Sequence, residues 1–112
     1  QGIPGADRND ILFTQDILTS LPTTYALDTT RIFATGISRG GGFCGALACD
    51  PLMSTKIAAF VPVSGAFYVK NDTKCRPETI NITFKAARQV PVIKIHGGEH
   101  HTIDYEREGR IR

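Results

Sequence analysis

No stretch of apolar residues approaches the ~20 that a membrane-spanning helix needs, which excludes a span of that kind. Runs of Lys or Arg are missing as well. The formal net charge of +2 is too small to suggest nucleic acid as a partner, and no basic patch forms. There are no internal repeats and no low-complexity tracts. Cysteine is scarce and odd in number, with Cys44, Cys49 and Cys75. In a secreted chain an odd count leaves one thiol free or paired outside the segment. Residue 1 is Gln and no leader is visible, so an upstream piece is expected to have been removed or left out.

What remains is ordinary globular material. Hydrophobic residues make up 41% and charged residues 21% of the 112, which argues against disorder and fits one domain at most. Asn71-Asp72-Thr73 and Asn81-Ile82-Thr83 are both glycosylation sequons, a mild pointer to secretion.

Periodicity predicts a helix over 8–21, capped by Asp7 or Asn9, with an apolar stripe of Ile11, Leu12, Ile17, Leu18 and Leu21 and Pro22 after its end. Arg31-Ile32-Phe33-Ala34-Thr35 reads as a strand, broken by the glycines from Gly36 to Gly42. Phe43 to Cys49 reads as a helix of small residues, stopped by Asp50-Pro51. Lys56 to Pro62 carries the continuous apolar run Ile57 to Val61, as in a strand buried on both faces. Residues 69–80 read as a loop, and Val90 to Ile95 as a third strand that Gly97-Gly98 ends. The charged residues from Glu106 to Arg112 are expected to fray.

Strands separated by helices and long loops suggest parallel crossovers. Three parallel strands leave two open edges and two faces to cover. The chain is therefore expected to be one partial domain over 1–112, part of a larger doubly wound sheet. The rival is a small domain complete in itself.

Gly36-Ile37-Ser38-Arg39-Gly40 matches G-x-S-x-G. A nucleophilic Ser at a strand-to-helix turn must hold a strained backbone and lift its hydroxyl clear of the sheet. Glycine at 36 and 40 removes Cβ atoms expected to collide where strand and helix cross. The helix N-terminus behind Ser38 favours negative charge, and the backbone N–H of Arg39 would be one oxyanion-hole donor. The bland alternative is a Ser in a Gly-rich turn.

A second pattern overlaps the first. Gly40-Gly41-Gly42-Phe43-Cys44-Gly45 fits G-x-G-x-x-G, the dinucleotide turn. The acidic residue expected ~20 positions on is missing around Ser64 to Ala66, and no Lys-Ser or Lys-Thr makes a P-loop. A dinucleotide-binding domain is thus a minor alternative. His96, Glu99, His100 and His101 suggest a metal cluster at first sight. Gly97-Gly98 prevents the helix that would align them, so no metal is expected.

Several stretches together resemble the fungal feruloyl esterases, relatives of the polyhydroxybutyrate depolymerase-like α/β-hydrolases. They are Phe13-Thr14-Gln15-Asp16, Arg31 to Gly36, Gly41-Gly42-Phe43-Cys44, Leu47 to Pro51, Val61 to Tyr68 and Ile95-His96-Gly97-Gly98, in order along nearly the whole chain. The resemblance implies an α/β-hydrolase fragment: a mostly parallel sheet with helices on both faces, a three-layer αβα sandwich. It also implies a secreted carboxylic ester hydrolase that frees hydroxycinnamates from plant cell-wall arabinoxylan. Ser38 would be its nucleophile, with no cofactor, no membrane and no nucleic acid involved, and a small-molecule or polysaccharide-linked ester as its partner. Oligomeric state is left open.

The chain departs from that pattern in two places. The family's acid is expected four residues after His96, where this sequence has His100. Glu99 is one residue away and is the closer substitute; Asp104 stands where Pro is usual. The family's order of Ser, acid, then His puts the catalytic His on a later loop, expected beyond Arg112. The first half of the sheet, with the loop that supplies the second oxyanion donor, is expected before Gln1. Further cysteines of the family are replaced by Ala26 and Phe84 here, and Cys49 with Cys75 is a possible bridge. A catalytically inactive hydrolase fold, serving as a carbohydrate-binding or interaction module, is the main alternative.

Overall fold

The computed structural model describes residues 9–65 and 86–99. In chain order its elements are α1 (Asp10–Thr24), β1 (Phe33–Ile37), α2 (Arg39–Cys49), α3 (Met53–Lys56) and β2 (Ala59–Val63).

Helix α1 starts where Asn9 can cap it. The Asn9 Oδ1 accepts the Leu12 N–H at 3.0 Å, and Asp10 lies in the first turn, where the helix dipole favours an acid. Asp7, the other capping candidate, lies outside the described residues. The helix runs through Pro22 rather than ending before it. There the proline forfeits the bond its missing N–H would make and its ring crowds the Leu18 carbonyl, yet the helix continues for two more residues. The Thr23 hydroxyl donates to the Ser20 carbonyl at 2.6 Å, and the Tyr25 N–H to the Leu21 carbonyl at 2.9 Å. The expected stripe is also split. Ile11 and Leu18 pack on the core, whereas Leu12, Ile17 and Leu21 are exposed.

Strands β1 and β2 pair in parallel, with Phe33 opposite Ala59 and Ile37 opposite Val63. Helices α2 and α3 form the crossover between them. The register puts Ala34 and Gly36 on one sheet face with Phe60 and Pro62. That face is covered: Phe60 is fully buried with Cys44, Leu47, Ala48, Met53 and Ile57. The opposite face of β1 is not. Phe33 is 63% and Ile37 69% exposed, with Thr35 exposed between them. Among the described residues the chain is therefore a mixed α/β arrangement with a two-stranded parallel sheet.

Beyond α1, three further elements have other boundaries than the sequence predicts and one is new. The first strand is shifted two residues on, to Phe33–Ile37. Helix α2 begins at Arg39 and takes in Gly40, Gly41 and Gly42, which read as breakers. The backbone turn at Ser38 launches the helix there, and packing against the sheet outweighs the ~1 kcal/mol helix cost of each glycine. The second strand is Ala59–Val63, ending two residues later than its apolar run. The one-turn helix α3 was not foreseen; the Asp50 carboxylate starts it by accepting the N–H groups of Leu52 and Met53, both at 2.9 Å.

The expected third strand is present only as two parallel bridges, Phe60 to Val92 and Val63 to Ile95. The Phe60 N–H donates to the Pro91 carbonyl, Ile93 to Phe60, Ile95 to Pro62 and Ser64 to Ile95. The next donor in that alternation belongs to Pro62, which has no N–H. Proline inside β2 thus interrupts the ladder that residues 91–95 would otherwise complete.

Candidate active site

Three chain segments end side by side at one edge of the sheet. Ile37, Val63 and Ile95 are partners in one register row, so Ser38, Ser64 and His96 follow them past the carboxyl ends of parallel segments. This is the edge at which open α/β sheets bind ligands.

Ser38 is the sharpest feature there. Its backbone has φ 56° and ψ −117°, a conformation a non-glycine residue rarely adopts. It is held by two hydrogen bonds: its N–H donates to the Val63 carbonyl, and its carbonyl accepts from Gly42 N–H, both at 3.0 Å. The residue occupies the N-cap position of α2, yet its hydroxyl makes no cap hydrogen bond, and the residue is exposed. The hydroxyl therefore stands at the positive end of a helix dipole without being used by the helix.

The flanking glycines divide unequally. A Cβ on Gly36 would run into the Gly40 carbonyl, 2.5 Å from its carbon, so β1 and α2 cross too closely for a side chain there. At Gly40 itself a Cβ would meet nothing within 4 Å, against the sequence expectation that both glycines avoid collision. The second close contact belongs to Gly41, where a Cβ would lie 2.8 Å from both Gly65 Cα and the Val63 oxygen. The elbow needs glycine where strand passes helix and where helix passes the neighbouring strand end. Gly40 lies on the open side of the first turn.

Arg39 is the first residue of α2, and its side chain is exposed. By helix geometry its N–H has no intrahelical partner. Glu99 is exposed in the turn that follows the row at His96. His100 and Asp104 lie outside the described residues, as do His101 and Cys75. Among the described residues no group of three His, Cys, Asp or Glu side chains could hold a metal ion. Gly40, Gly41 and Gly42 lie inside α2, with Gly41 buried against the sheet, which counts against a dinucleotide cradle.

Cys44 is buried beneath this turn. Its thiol donates to the Ala34 carbonyl at 3.4 Å, and burial pushes its pKa up. Cys44 and Cys49 are both thiols, and the bridge considered from Cys49 to Cys75 involves a residue outside those described.

Comparison with known proteins places similarity across most of the chain. It is 29% identical over 104 residues to the bifunctional acetylxylan esterase/xylanase XynS20E of Neocallimastix patriciarum, covering 92% of this chain and 13% of that protein. It is 27% identical over 101 residues to feruloyl esterase B of Piromyces equi, covering 88% of this chain and 17% of that protein. No family model matches. The chain spans less than a fifth of the length of either relative. Both relatives are esterases by name, and the likeness to them is distant. No helix among the described residues is long and apolar enough to cross a membrane.

Sequence reasoning missed Ser64 and Arg88. Ser64 is buried with φ 41°, and Arg88 ties the approach to the His96 turn back to α3. The Ser64-Gly65 pair directly after an apolar run was a turn signal that could have been read. Nothing local in the sequence marked Arg88.

Proposed function

We propose that this chain is the nucleophile-bearing part of a secreted carboxylic ester hydrolase, acting on esters attached to plant cell-wall xylan, with feruloyl esters as the leading class. The supporting observation is the backbone of Ser38, strained, exposed and set between a parallel strand and a helix N-terminus. A Ser in a merely Gly-rich loop has no need of that conformation or of the close crossing at Gly36. The names of the two relatives support the substrate class, acetyl esters of xylan being the other member of it.

On this reading the Ser38 hydroxyl attacks the ester carbonyl. A His accepts its proton and later returns it to the leaving alcohol, and a carboxylate orients that His. The Arg39 N–H stabilises the developing oxyanion, an interaction that gains strength as charge forms. Glu99 is the proposed carboxylate, since it leaves the same sheet edge as Ser38. The catalytic His and the second oxyanion donor come from other parts of a longer polypeptide. That polypeptide also supplies the helical layer over Phe33 and Ile37, which completes a three-layer sandwich.

A fluorophosphonate tests the nucleophile directly. Mass spectrometry of the treated longer polypeptide, with the His segment present, is expected to find the adduct on Ser38 and to lose it in Ser38→Ala. A protein that takes up no reagent at Ser38, in a polypeptide carrying the His segment, would leave only an inactive hydrolase-fold binding module.

A further inference from the structure

The second strained residue among those described lies beside the first. Ser38 and Ser64 are the only described non-glycine residues with positive φ, at 56° and 41°. They follow register partners, Ile37 and Val63, on adjacent parallel strands. Ser64 is 6% exposed, so its backbone has no reach into solvent to explain its shape.

The surroundings do explain it. The turn Val63-Ser64-Gly65 touches the Ser38 elbow at three points. The Val63 carbonyl accepts the Ser38 N–H at 3.0 Å. The same oxygen and the Gly65 Cα both lie 2.8 Å from where a Cβ of Gly41 would stand, closing the gap under the first turn of α2. On its other side the Ser64 N–H donates to the Ile95 carbonyl at 2.7 Å. A left-handed residue at 64 is what turns the end of β2 so that one edge grips the elbow and the other grips the segment leading to His96. An extended residue there would carry Gly65 straight on, away from Gly41.

We propose that Ser64 is a positioning residue for Ser38. Its left-handed backbone holds the end of β2 against the elbow and links it to the Ile95 strand end, so that the three segments form one rigid row. The inference rests on the reading of Ser38 as nucleophile for its functional meaning, though its geometric content does not. The role belongs to the backbone of residue 64, not to its hydroxyl. Any residue that tolerates positive φ should therefore serve, and one that resists it should not.

Two variants and two measurements test this. Ser64→Gly keeps the turn at no steric cost, and Ser64→Val opposes it. Amide hydrogen exchange at Ser38, read by NMR, reports the bond to Val63 whether or not Ser38 is reactive. Ser64→Gly is expected to leave Ser38 protection within about twofold and to raise the melting temperature. Ser64→Val is expected to speed Ser38 exchange at least about tenfold, while the amides of the α1 core-facing turn stay protected. In the fluorophosphonate assay on the longer polypeptide that carries the His segment, the labelling rate of Ser38 should follow the same order, measured well below the melting temperature of each variant. Should Ser64→Gly lose protection or labelling, or Ser64→Val keep both, the proposal is overturned. If Ser64→Val does not fold, Ser64→Gly alone decides. Failure of the wild-type longer polypeptide, His segment included, to label, with exchange behaving as expected, would remove the nucleophile reading and leave the positioning of residue 38 standing.

Discussion

At the residue scale the candidate site is a matter of where a Cβ cannot go. Gly36 has the Gly40 carbonyl in that place and Gly40 has open space. Gly36→Ala is therefore expected to cost about 1–3 kcal/mol, because backbone rather than a flexible side chain must move. Gly40→Ala is expected to stabilise by up to about 1 kcal/mol through helix propensity. Urea unfolding of the two variants gives the comparison directly. The two glycines are indistinguishable in the motif, and only the crossing geometry separates them.

Cys44 sets a pH dependence whose sign can be worked out. Burial pushes its thiol above the ordinary value in the folded chain. The folded state then holds a proton that the unfolded chain releases more readily. Its contribution is complete below the ordinary thiol pKa of about 8.5 and is lost as pH rises through that value toward the folded one. Stability measured by urea unfolding is expected to fall as pH rises above about 8 in the wild type. The fall should be shallower in Cys44→Ala, which lacks the titrating group. Alkylation of Cys44 under native conditions is expected to be slow for the same reason.

At the element scale the connection into the His96 turn hangs on Arg88. Its Nε donates to the Ser54 carbonyl at 2.8 Å, its Nη2 to Ile57 at 2.7 Å and to Ala58 at 3.1 Å, and its Nη1 to Gln89 at 2.9 Å. The Ala87 N–H adds a bond to the buried Ser54 hydroxyl at 3.0 Å. The guanidinium thus neutralises the carbonyl end of α3 and ties it to a segment more than thirty residues on. Arg88→Ala is expected to cost about 2 kcal/mol, and Arg88→Lys to recover less than half of that, since a single ammonium cannot match the fork. Thermal unfolding of both variants checks the ratio. The same scale shows which elements could be read from sequence. The apolar runs at 57–61 and 90–95 pointed to strands, and β2 is one. The 91–95 segment falls short because Pro62, on a different segment, withholds a donor. No local pattern around Val92 could have carried that information. Likewise the glycines of α2 look like breakers until the turn at Ser38 is in place.

At the scale of the molecule one sheet face is packed and the other is bare. Phe33 and Ile37 are exposed on β1, and Ile93 and Ile95, on the same face of the neighbouring segment, are exposed with them. Phe33→Lys is therefore expected to change the stability of this chain by no more than about 0.5 kcal/mol, as at an ordinary surface position. In a longer polypeptide whose helices cover that face, the same change would bury an unpaired charge and cost several times as much. Unfolding measurements on the two lengths distinguish a face meant for solvent from one meant for packing.

The sequence by itself determined the alternation of helices and parallel strands, a cap at Asp7 or Asn9 and the place of the strand-to-helix turn at Ser38. Each follows from local chemistry: side-chain periodicity, a short polar side chain before a helix, and glycine where Cβ atoms collide. Tertiary structure alone decided which of those glycines is needed, why Ser64 is bent, how far residues 91–95 can pair, and what Arg88 holds. These depend on groups far apart in the chain that meet only when β2 lies between its two neighbours. A residue's own sequence neighbourhood has no record of such meetings.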